Sequence, residues 1–444
     1  MSSAEQANIA IAKFGGSSMA NPEQVAAQLA YPGNEAPVVV VSAPGVSEQH
    51  EQKLTIELLS LGASPRKSAA APIQERFASI YIADQHGRAS VEIEEIIEGI
   101  PDDLTEWAKK GWPVAALGEY WSARMFAAYS GRQFVDAREL VRVSRKGRLD
   151  VPASIKAMSQ RLVLGEPTVT PGYYGADRRG RVHLLGPGTS DVPGALAARA
   201  LRAGRYDNWS DVDGLKTTDP KTVEVVHDAP EITYREVREL AHGGCELLHP
   251  TVTQILGDSA IQTFLRNTYG APDNVGTIVS QTRDWSGSAI VSVTGRSDIQ
   301  ELSLYEFGLD VAVGATVEAY RLLLKKRIPY HDVTTGVDDV SIFVLDEYSS
   351  KLKKVQRGLI GNGRTADTRP VGLVHIVGEG LQSGSERGHI IGQVTLAFAE
   401  QNIDVLGVTG GGRGASLSIY TPAEDVSSGY AIDVAHRAVW PAVA

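Results

Sequence analysis

The sequence is poor in cysteine. Cys245 is the only one in 444 residues, so no intrachain disulfide can form and a cysteine-rich zinc site is excluded. A reducing compartment is the simplest setting. The lone thiol reads as a small buried hydrophobe rather than a nucleophile. Long apolar runs are missing too: none reaches the ~18 residues that cross a bilayer. The polar start, Met1 to Asn8, lacks the basic flank and long apolar core of a secretion signal. Basic excess is also absent. Forty-three Lys and Arg stand against 53 Asp and Glu, a formal net charge of −10. That excludes a nucleic-acid reader, which carries a basic balance or stripe. It leaves local anion binding open, because helix N-termini and backbone amides supply positive potential. The ten histidines show no H-E-x-x-H or similar spacing, so none is read as a metal ligand. The expectation is a cytoplasmic multidomain enzyme with no nucleic-acid or membrane partner.

The length predicts about three domains at ~150 residues each. The first stretch opens as strand, glycine turn and helix. An apolar run ends in Lys13-Phe14-Gly15-Gly16-Ser17-Ser18, and Asn21 then caps a helix with Pro22 at its first position, which Pro32-Gly33 breaks. Val38 to Val41 is a continuous β-branched run, the pattern of a strand buried on both faces of a parallel sheet. It ends in Ser42-Ala43-Pro44-Gly45. Residues 46–112 read as mainly helical. Strand-like pieces follow at Phe134-Val135, Thr168 to Thr170, Val182 to Leu185 and Tyr206 to Trp209, with a clear helix over Asp191 to Ala203. This alternation predicts an α/β domain with a mainly parallel sheet.

After the polar segment Gln281 to Gly287 the pattern changes. Strands are expected at Ala289 to Thr294, Val340 to Leu345, Val371 to Val377 and Ala415 to Tyr420, with helices at Val317 to Leu324 and His389 to Ala399. Two small units of strand–helix–strand order therefore follow one another, with little residue-level similarity. The expected division is 1–283, 284–367 and 368–444.

Two loops suit phosphate. In Lys13 to Ser18, two glycines let backbone approach a ligand, a helix follows, and one mobile ammonium is at hand. The lysine precedes the glycines, so this is no Walker A loop. Its plainer reading is a strand-to-helix turn with a solvated lysine. Gly186-Pro187-Gly188-Thr189-Ser190-Asp191 is a second glycine-rich loop at a helix start, and its plainer reading is a cap by Ser190 or Asp191. Gly118-Glu119 precedes a helical run from Tyr120, and the carboxylate suits an ammonium ligand or simply the helix dipole. Trp209 to Gly214, taken alone, is a polar turn. Gly378-Glu379-Gly380 lacks the dinucleotide spacing and is rejected as a cofactor loop.

In order along the chain, these segments resemble the aspartate kinases of the amino acid kinase family. Lys13 to Ser18 is similar to that family's K-[FY]-G-G-[ST]-S, and Val39 to Gly45 to its V-V-S-A-x-G. Lys53-Leu54-Thr55 matches K-V-T, and Gly118-Glu119 with Ser122-Ala123 matches G-E-x-x-x-A. Trp209 to Gly214 and Thr218-Asp219-Pro220 match W-[ST]-D-V-x-G and T-D-P. Leu248-His249-Pro250 and Gly276-Thr277 also have counterparts. The tail resembles paired ACT regulatory modules, at Thr335 to Ser341 and Val377 to Gly380.

The resemblance implies an open sheet sandwiched by helices, followed by two α+β modules of ferredoxin-like type. It implies phosphoryl transfer from ATP, with Mg²⁺ bridging the phosphates, to the aspartate side-chain carboxylate. By the same resemblance Lys13 stabilises the transferring phosphoryl and Asp191 holds that lysine. Gly15, Gly16, Ser17, Gly188, Ser210, Asp211, Lys216, Asp219 and Lys221 lie around the nucleotide. Ser42, Thr55, Glu119, Thr189 and Ser190 lie around the amino acid, with Glu119 on its ammonium. A homo-oligomer and an amino-acid effector at the ACT-like modules are further implications.

The sequence departs from the family pattern in four places. Pro187 stands where an arginine is usual, and Thr189 replaces a glycine. A guanidinium fork grips a carboxylate with a contact worth ~1.5–3 kcal/mol, which Pro187 cannot make. Lys216 stands where an apolar residue often lies near adenine. Thr409 to Gly414 replaces the Gln-Gly-Ser-Ser-Glu associated with effector binding. Three readings therefore stand: an aspartate kinase, a kinase of another small acceptor in a specialised biosynthetic pathway, and a non-catalytic sensor of nucleotide or amino acid.

Overall fold

The computed structural model describes residues 9–30, 36–62, 65, 67–82, 88–271, 274–309, 314–361, 363–410 and 414–441. The start of the chain through Asn8, the Pro32-Gly33 break and Gly411 to Arg413 lie outside these. The chain forms two compact units. One comprises residues 1–214, 230–234 and 248–282, and the other 215–229, 235–247 and 283–444.

The first unit is built on an eight-stranded sheet. In chain order its strands are β1 (Ala10–Phe14), β2 (Val38–Val41), β3 (Gln133–Phe134), β4 (Thr168–Pro171), β5 (Arg205–Ser210), β6 (Glu231–Thr233), β7 (Gln262–Asn267) and β8 (Thr277–Ser280). Their spatial order is β6-β8-β7-β5-β1-β2-β4-β3. All pairings are parallel except β7 with β8. β1 and β2 are buried at every residue, as their unbroken apolar runs require in a sheet covered on both faces. The helices that position the site are α1 (Pro22–Ala30), α2 (Leu54–Ser60), α3 (Ala70–Tyr81), α4 (Leu117–Ser130) and α5 (Val192–Leu201). Asn21 caps α1, accepting from Gln24 N–H at 3.0 Å. α5 lies close on the sheet: a Cβ added at Gly194 would come 2.6 Å from the Tyr206 ring. The chain runs one way from β1 to β2 and returns to β1's other side as β5. The sheet therefore has a topological switch point between β1 and β5, where ligands bind beyond the strands' C-terminal ends.

The second unit holds a six-stranded antiparallel sheet. Its strands are β9 (Ser292–Tyr305), β10 (Asp332–Thr335), β11 (Asp339–Leu345), β12 (Thr365–Val377), β13 (Gly407–Thr409) and β14 (Ser416–Pro422), in the order β10-β11-β9-β12-β14-β13. Its main helices are α7 (Ala315–Lys326), α8 (Ser349–Leu359), α9 (Gly384–Glu400) and α10 (Tyr430–Val439). Most of α6 (Tyr234–His242) also groups with it.

β9 and β12 extend well beyond the short strands expected from their apolar cores. β9 starts at Ser292 rather than Ala289 and continues through polar residues to Tyr305, with an irregularity between Arg296 and Ile299. Each long strand serves two cores. The Ile299–Tyr305 part pairs with β11 and with the first half of β12, over a core that includes Leu302, Leu323, Ile342 and Leu352. Residues Ser292–Arg296 pair with the second half of β12, over a core that includes Val293, Ile376, Val394 and Ile419. The result is two ferredoxin-like modules fused through one sheet. No described helix is long and apolar enough to cross a membrane.

Candidate active site

Lys13 is the fourth residue of β1, and its side chain folds back over the loop that follows. The chain then turns at Gly15, whose N–H donates to Trp209 O at the end of β5 at 3.1 Å. A Cβ at Gly15 would lie 3.1 Å from that carbonyl and 3.4 Å from Lys13 Nζ. Lys13 is 7% exposed, and its Nζ lies 3.5 Å from Asp191 Oδ1. Burial makes this pair a fixed feature rather than the solvated lysine of the plainer reading.

Asp191 ends a 3-10 turn, Thr189–Asp191, that leads into α5. Neither Ser190 nor Asp191 caps α5 through its side chain: no side-chain bond caps that helix, and the Asp191 carboxylate is turned to Lys13. The Tyr206 hydroxyl donates to Asp191 O at 3.0 Å and fixes the backbone there. Gly186 and Gly188 have φ of +115° and +72°, conformations glycine adopts freely. Thr189 is buried, with its hydroxyl donating to Gly186 O at 2.7 Å. Its side chain therefore locks the loop rather than obstructing it. Pro187 is exposed.

The loop after β2 interlocks with the lysine loop. Ser42 N–H donates to Phe14 O at 3.1 Å, and Gly45 N–H to Gly16 O at 2.8 Å. A Cβ at Gly16 would meet Ala43 O at 3.1 Å. α4 closes on the same loop, with a Gly118 Cβ position only 2.9 Å from Ala43 Cβ. Glu119 lies inside the first turn of α4 rather than before it, and is 3% exposed. The Ala43 backbone and the Thr55 hydroxyl on α2 favour its charged form, while Oε2 is buried without a partner. Burial pushes its pKa up to about 8, against those two groups.

The structure thus gathers Lys13, Gly15, Gly16, Ser17, Ser42, Thr55, Glu119, Gly188, Thr189, Ser190 and Asp191 around the C-terminal ends of β1, β2 and β4. Ser210 ends β5 and Asp211 follows it, exposed. Lys216, Asp219 and Lys221 fall in the segment that groups with the second unit. There Lys216 pairs with Asp228, and Asp219 accepts from the Lys221 N–H at 2.9 Å.

Sequence reasoning missed two residues here. Tyr173, just after β4, is buried with φ +71°, an uncommon and strained conformation for a bulky residue. Burial and the nearby Glu119 carboxylate raise its phenol pKa. Its neighbour Gly172 abuts Ser190, whose Cα would lie 3.0 Å from an added Cβ. Asn208 sits beside Lys13 in the β1–β5 register, with a buried, unpartnered Oδ1. Neither belongs to a readable motif: one is marked by backbone strain and the other by strand register. Cys245 is half-buried, and burial pushes its thiol up to about 11, which fits an inert thiol.

A buried lysine–carboxylate pair in a double glycine cradle, at the switch point of a parallel sheet, defines a phosphoryl-transfer class of site. The amino acid kinase family model matches residues 8–267, and the chain belongs to that family. Within it, the chain is 26% identical over 432 residues to aspartokinase 3 of Bacillus subtilis, covering 89% of this chain and 92% of that protein. It is 28% identical to the chloroplastic aspartokinase 2 of Arabidopsis thaliana, covering 74% of this chain and 64% of that protein. The crystal structure of Clostridium acetobutylicum aspartate kinase superposes with a TM-score of 0.85 at 24% identity, over 97% of this chain and 100% of that one. E. coli aspartokinase III in complex with aspartate and ADP gives 0.78 at 22% identity, over 97% and 99%. At such identities the structural likeness establishes the fold.

Proposed function

We propose that the chain transfers the γ-phosphoryl group of ATP to the side-chain carboxylate of L-aspartate, giving 4-phospho-L-aspartate and ADP. The observation that carries this reading is one set of loops holding both a buried cation, Lys13 against Asp191, and a buried carboxyl, Glu119, with an unpartnered oxygen. The cation suits a phosphoryl in transfer, and the carboxyl suits an ammonium. The acceptor is already a carboxylate, so no general base is required, and the work is positioning and charge neutralisation.

In this reading Lys13 stabilises charge on the transferring group, and Asp191, fixed by Tyr206, holds the lysine. Gly15, Gly16, Ser17 and Gly188 supply close backbone donors, and a side chain at Gly15 or Gly16 would fill the cradle. Ser210, Asp211, Lys216, Asp219 and Lys221 are assigned to the nucleotide. Ser42, Thr55, Glu119, Thr189 and Ser190 are assigned to the amino acid. Mg²⁺ would arrive with the nucleotide and be held mainly by its phosphates, since Asp191 is already engaged with Lys13. We assign 1–283 to catalysis and 284–367 and 368–444 to regulation. An amino-acid effector at the ACT-like modules, a homo-oligomer and a cytoplasmic setting complete the proposal.

The test is acyl phosphate formation, trapped with hydroxylamine, from ATP, Mg²⁺ and aspartate. Lys13→Ala should lower turnover by about 10²–10³ or more. Wild-type rates with this variant would remove Lys13 from its role, and no product from the intact protein would remove aspartate. Pro187 supports a second reading, in which another small acceptor is preferred. Pro187→Arg separates the two, because a restored fork should tighten aspartate about ten- to hundredfold. Under the second reading the same change weakens the true acceptor.

A further inference from the structure

Arg76, on α3, is 1% exposed. Its Nη1 donates to Gln52 O at 3.0 Å and to Glu57 Oε1 at 2.8 Å. Its Nη2 donates to Pro44 O at 3.3 Å and to Gly45 O. Three of these four acceptors are backbone carbonyls, and only Glu57 carries charge. A buried guanidinium is costly to desolvate, and packing alone would be served better by an apolar side chain. The planar fork does what an apolar side chain cannot: it spans several carbonyls at fixed angles.

What it spans is one half of the site. Pro44 and Gly45 follow Ser42 and Ala43 directly. Pro44 O also accepts from Leu54 N–H at 3.1 Å, the first residue of α2, which carries Thr55. Gly45 N–H reaches Gly16 O, and a Cβ at Gly45 would lie 2.6 Å from Gly16 C, so the two backbones are in contact. Ala43 packs against Gly118, next to Glu119, and its backbone favours the charged form of that carboxyl. The guanidinium therefore sits behind the junction of the Ser42–Gly45 loop, the start of α2 and the Glu119 carboxylate, without reaching Lys13 or Asp191. Those two are held separately, by β1 and by Tyr206.

We infer that Arg76 is a positioning residue for the amino-acid half of the site. It sets the loop at 42–45 and Thr55 on α2 so that Ser42, Thr55 and Glu119 converge on one ligand. The inference rests on the proposed assignment of these three residues to the amino-acid substrate.

Arg76→Lys tests it, because one ammonium cannot serve acceptors on both sides of the loop. The aspartate KM should rise about tenfold. The ATP KM and kcat should stay within about twofold, and amide exchange should quicken across 42–55 but not at Lys13 or Asp191. Glu57→Gln removes the charge partner and keeps the carbonyl bonds, so it should give the same selective change at smaller size. It decides the matter if the lysine variant does not fold. Unchanged exchange and unchanged aspartate KM in both variants would overturn the inference. So would aspartate and ATP KM rising together in step with a falling melting temperature, which is the mark of a merely structural arginine. The exchange measurement needs no turnover. If the intact protein makes no acyl phosphate, the substrate assignment fails, yet selective loosening of 42–55 still upholds Arg76 as the residue that sets these loops.

Discussion

Glu119 is a carboxyl that the fold keeps protonated near neutrality. Its pKa is raised from 4.5 to about 8, first by burial and against the opposing effect of Ala43 and Thr55. The folded state therefore holds a proton that the unfolded chain releases above its lower pKa. Stability from this group is full below about pH 4.5 and declines as pH rises toward 8. Glu119→Gln should flatten that decline, seen in denaturant melts between pH 5 and 8. A ligand ammonium beside the carboxylate reverses the preference and expels the proton. Aspartate binding at pH 7 should thus release up to one proton, read by calorimetry in buffers of different ionisation heat. Proton-neutral binding would detach Glu119 from the ammonium.

Much of this residue-scale chemistry was legible in advance. Lys13, Asp191 and Glu119 stood out because each sits in a glycine-flanked turn beside a helix. Their pairing is implied by the family resemblance alone, since the motif itself equally permits a helix cap by Asp191; the structure sets Lys13 Nζ 3.5 Å from the carboxylate. Arg76 and Tyr173 carried no signal at all. One acts through carbonyls distant in sequence, and the other through a backbone angle.

At the scale of elements, short strands with unbroken apolar runs were readable. Val38 to Val41 could only be central, because both faces needed cover. The long strands β9 and β12 were not, because their polar stretches are held as strand by pairing with each other across a register irregularity, which no local pattern reveals. The loops of the site interlock at one point. Gly16 and Gly45 touch backbone to backbone, so Gly45→Ala should force the lysine loop and the Ser42 loop apart. We expect a loss of about 1–3 kcal/mol in stability, as for other overpacking changes, with a larger loss of kcat/KM. Thermal melts and steady-state kinetics on the same sample check it. Full activity would mean the two loops need not interlock.

At the scale of the whole molecule, the second unit carries a pH-sensitive cluster that no motif announces. His242 on α6 and His331 stack with ring centroids 3.6 Å apart, and His375 on β12 lies 5.4 Å from His242. Burial, with repulsion from the neighbouring histidines, lowers His331 to about 4 and His375 to about 3, and burial lowers His242 as well. Glu239 and Asp332 oppose that shift at His242, and Arg296 adds to it. These bases bind protons less readily folded than unfolded, so their stability contribution is present above pH 6.5. It is lost progressively as pH falls from about 6.5 through 4 toward 3. His331→Gln should reduce the acid slope of unfolding free energy by about 1.4 kcal/mol per pH unit over part of that range. Urea melts from pH 7 to 4 measure it, and an unchanged slope would remove His331 from the cluster's titration.

The sequence by itself determined the class of fold, the order of the motifs, the acidic balance and the candidate residues. The broad class and the balance follow from local periodicity, turn chemistry and composition, and the candidate roles from an ordered set of motifs that resembles the aspartate kinases; all of these act over a few residues at a time. Only the tertiary structure decided that Lys13 pairs with Asp191, that Glu119 is buried with an unpartnered oxygen, that Arg76 backs the amino-acid loop and that three histidines meet. Burial and charge pairing depend on which distant segments share a low-dielectric space, and that is set by strand order and register across the whole chain.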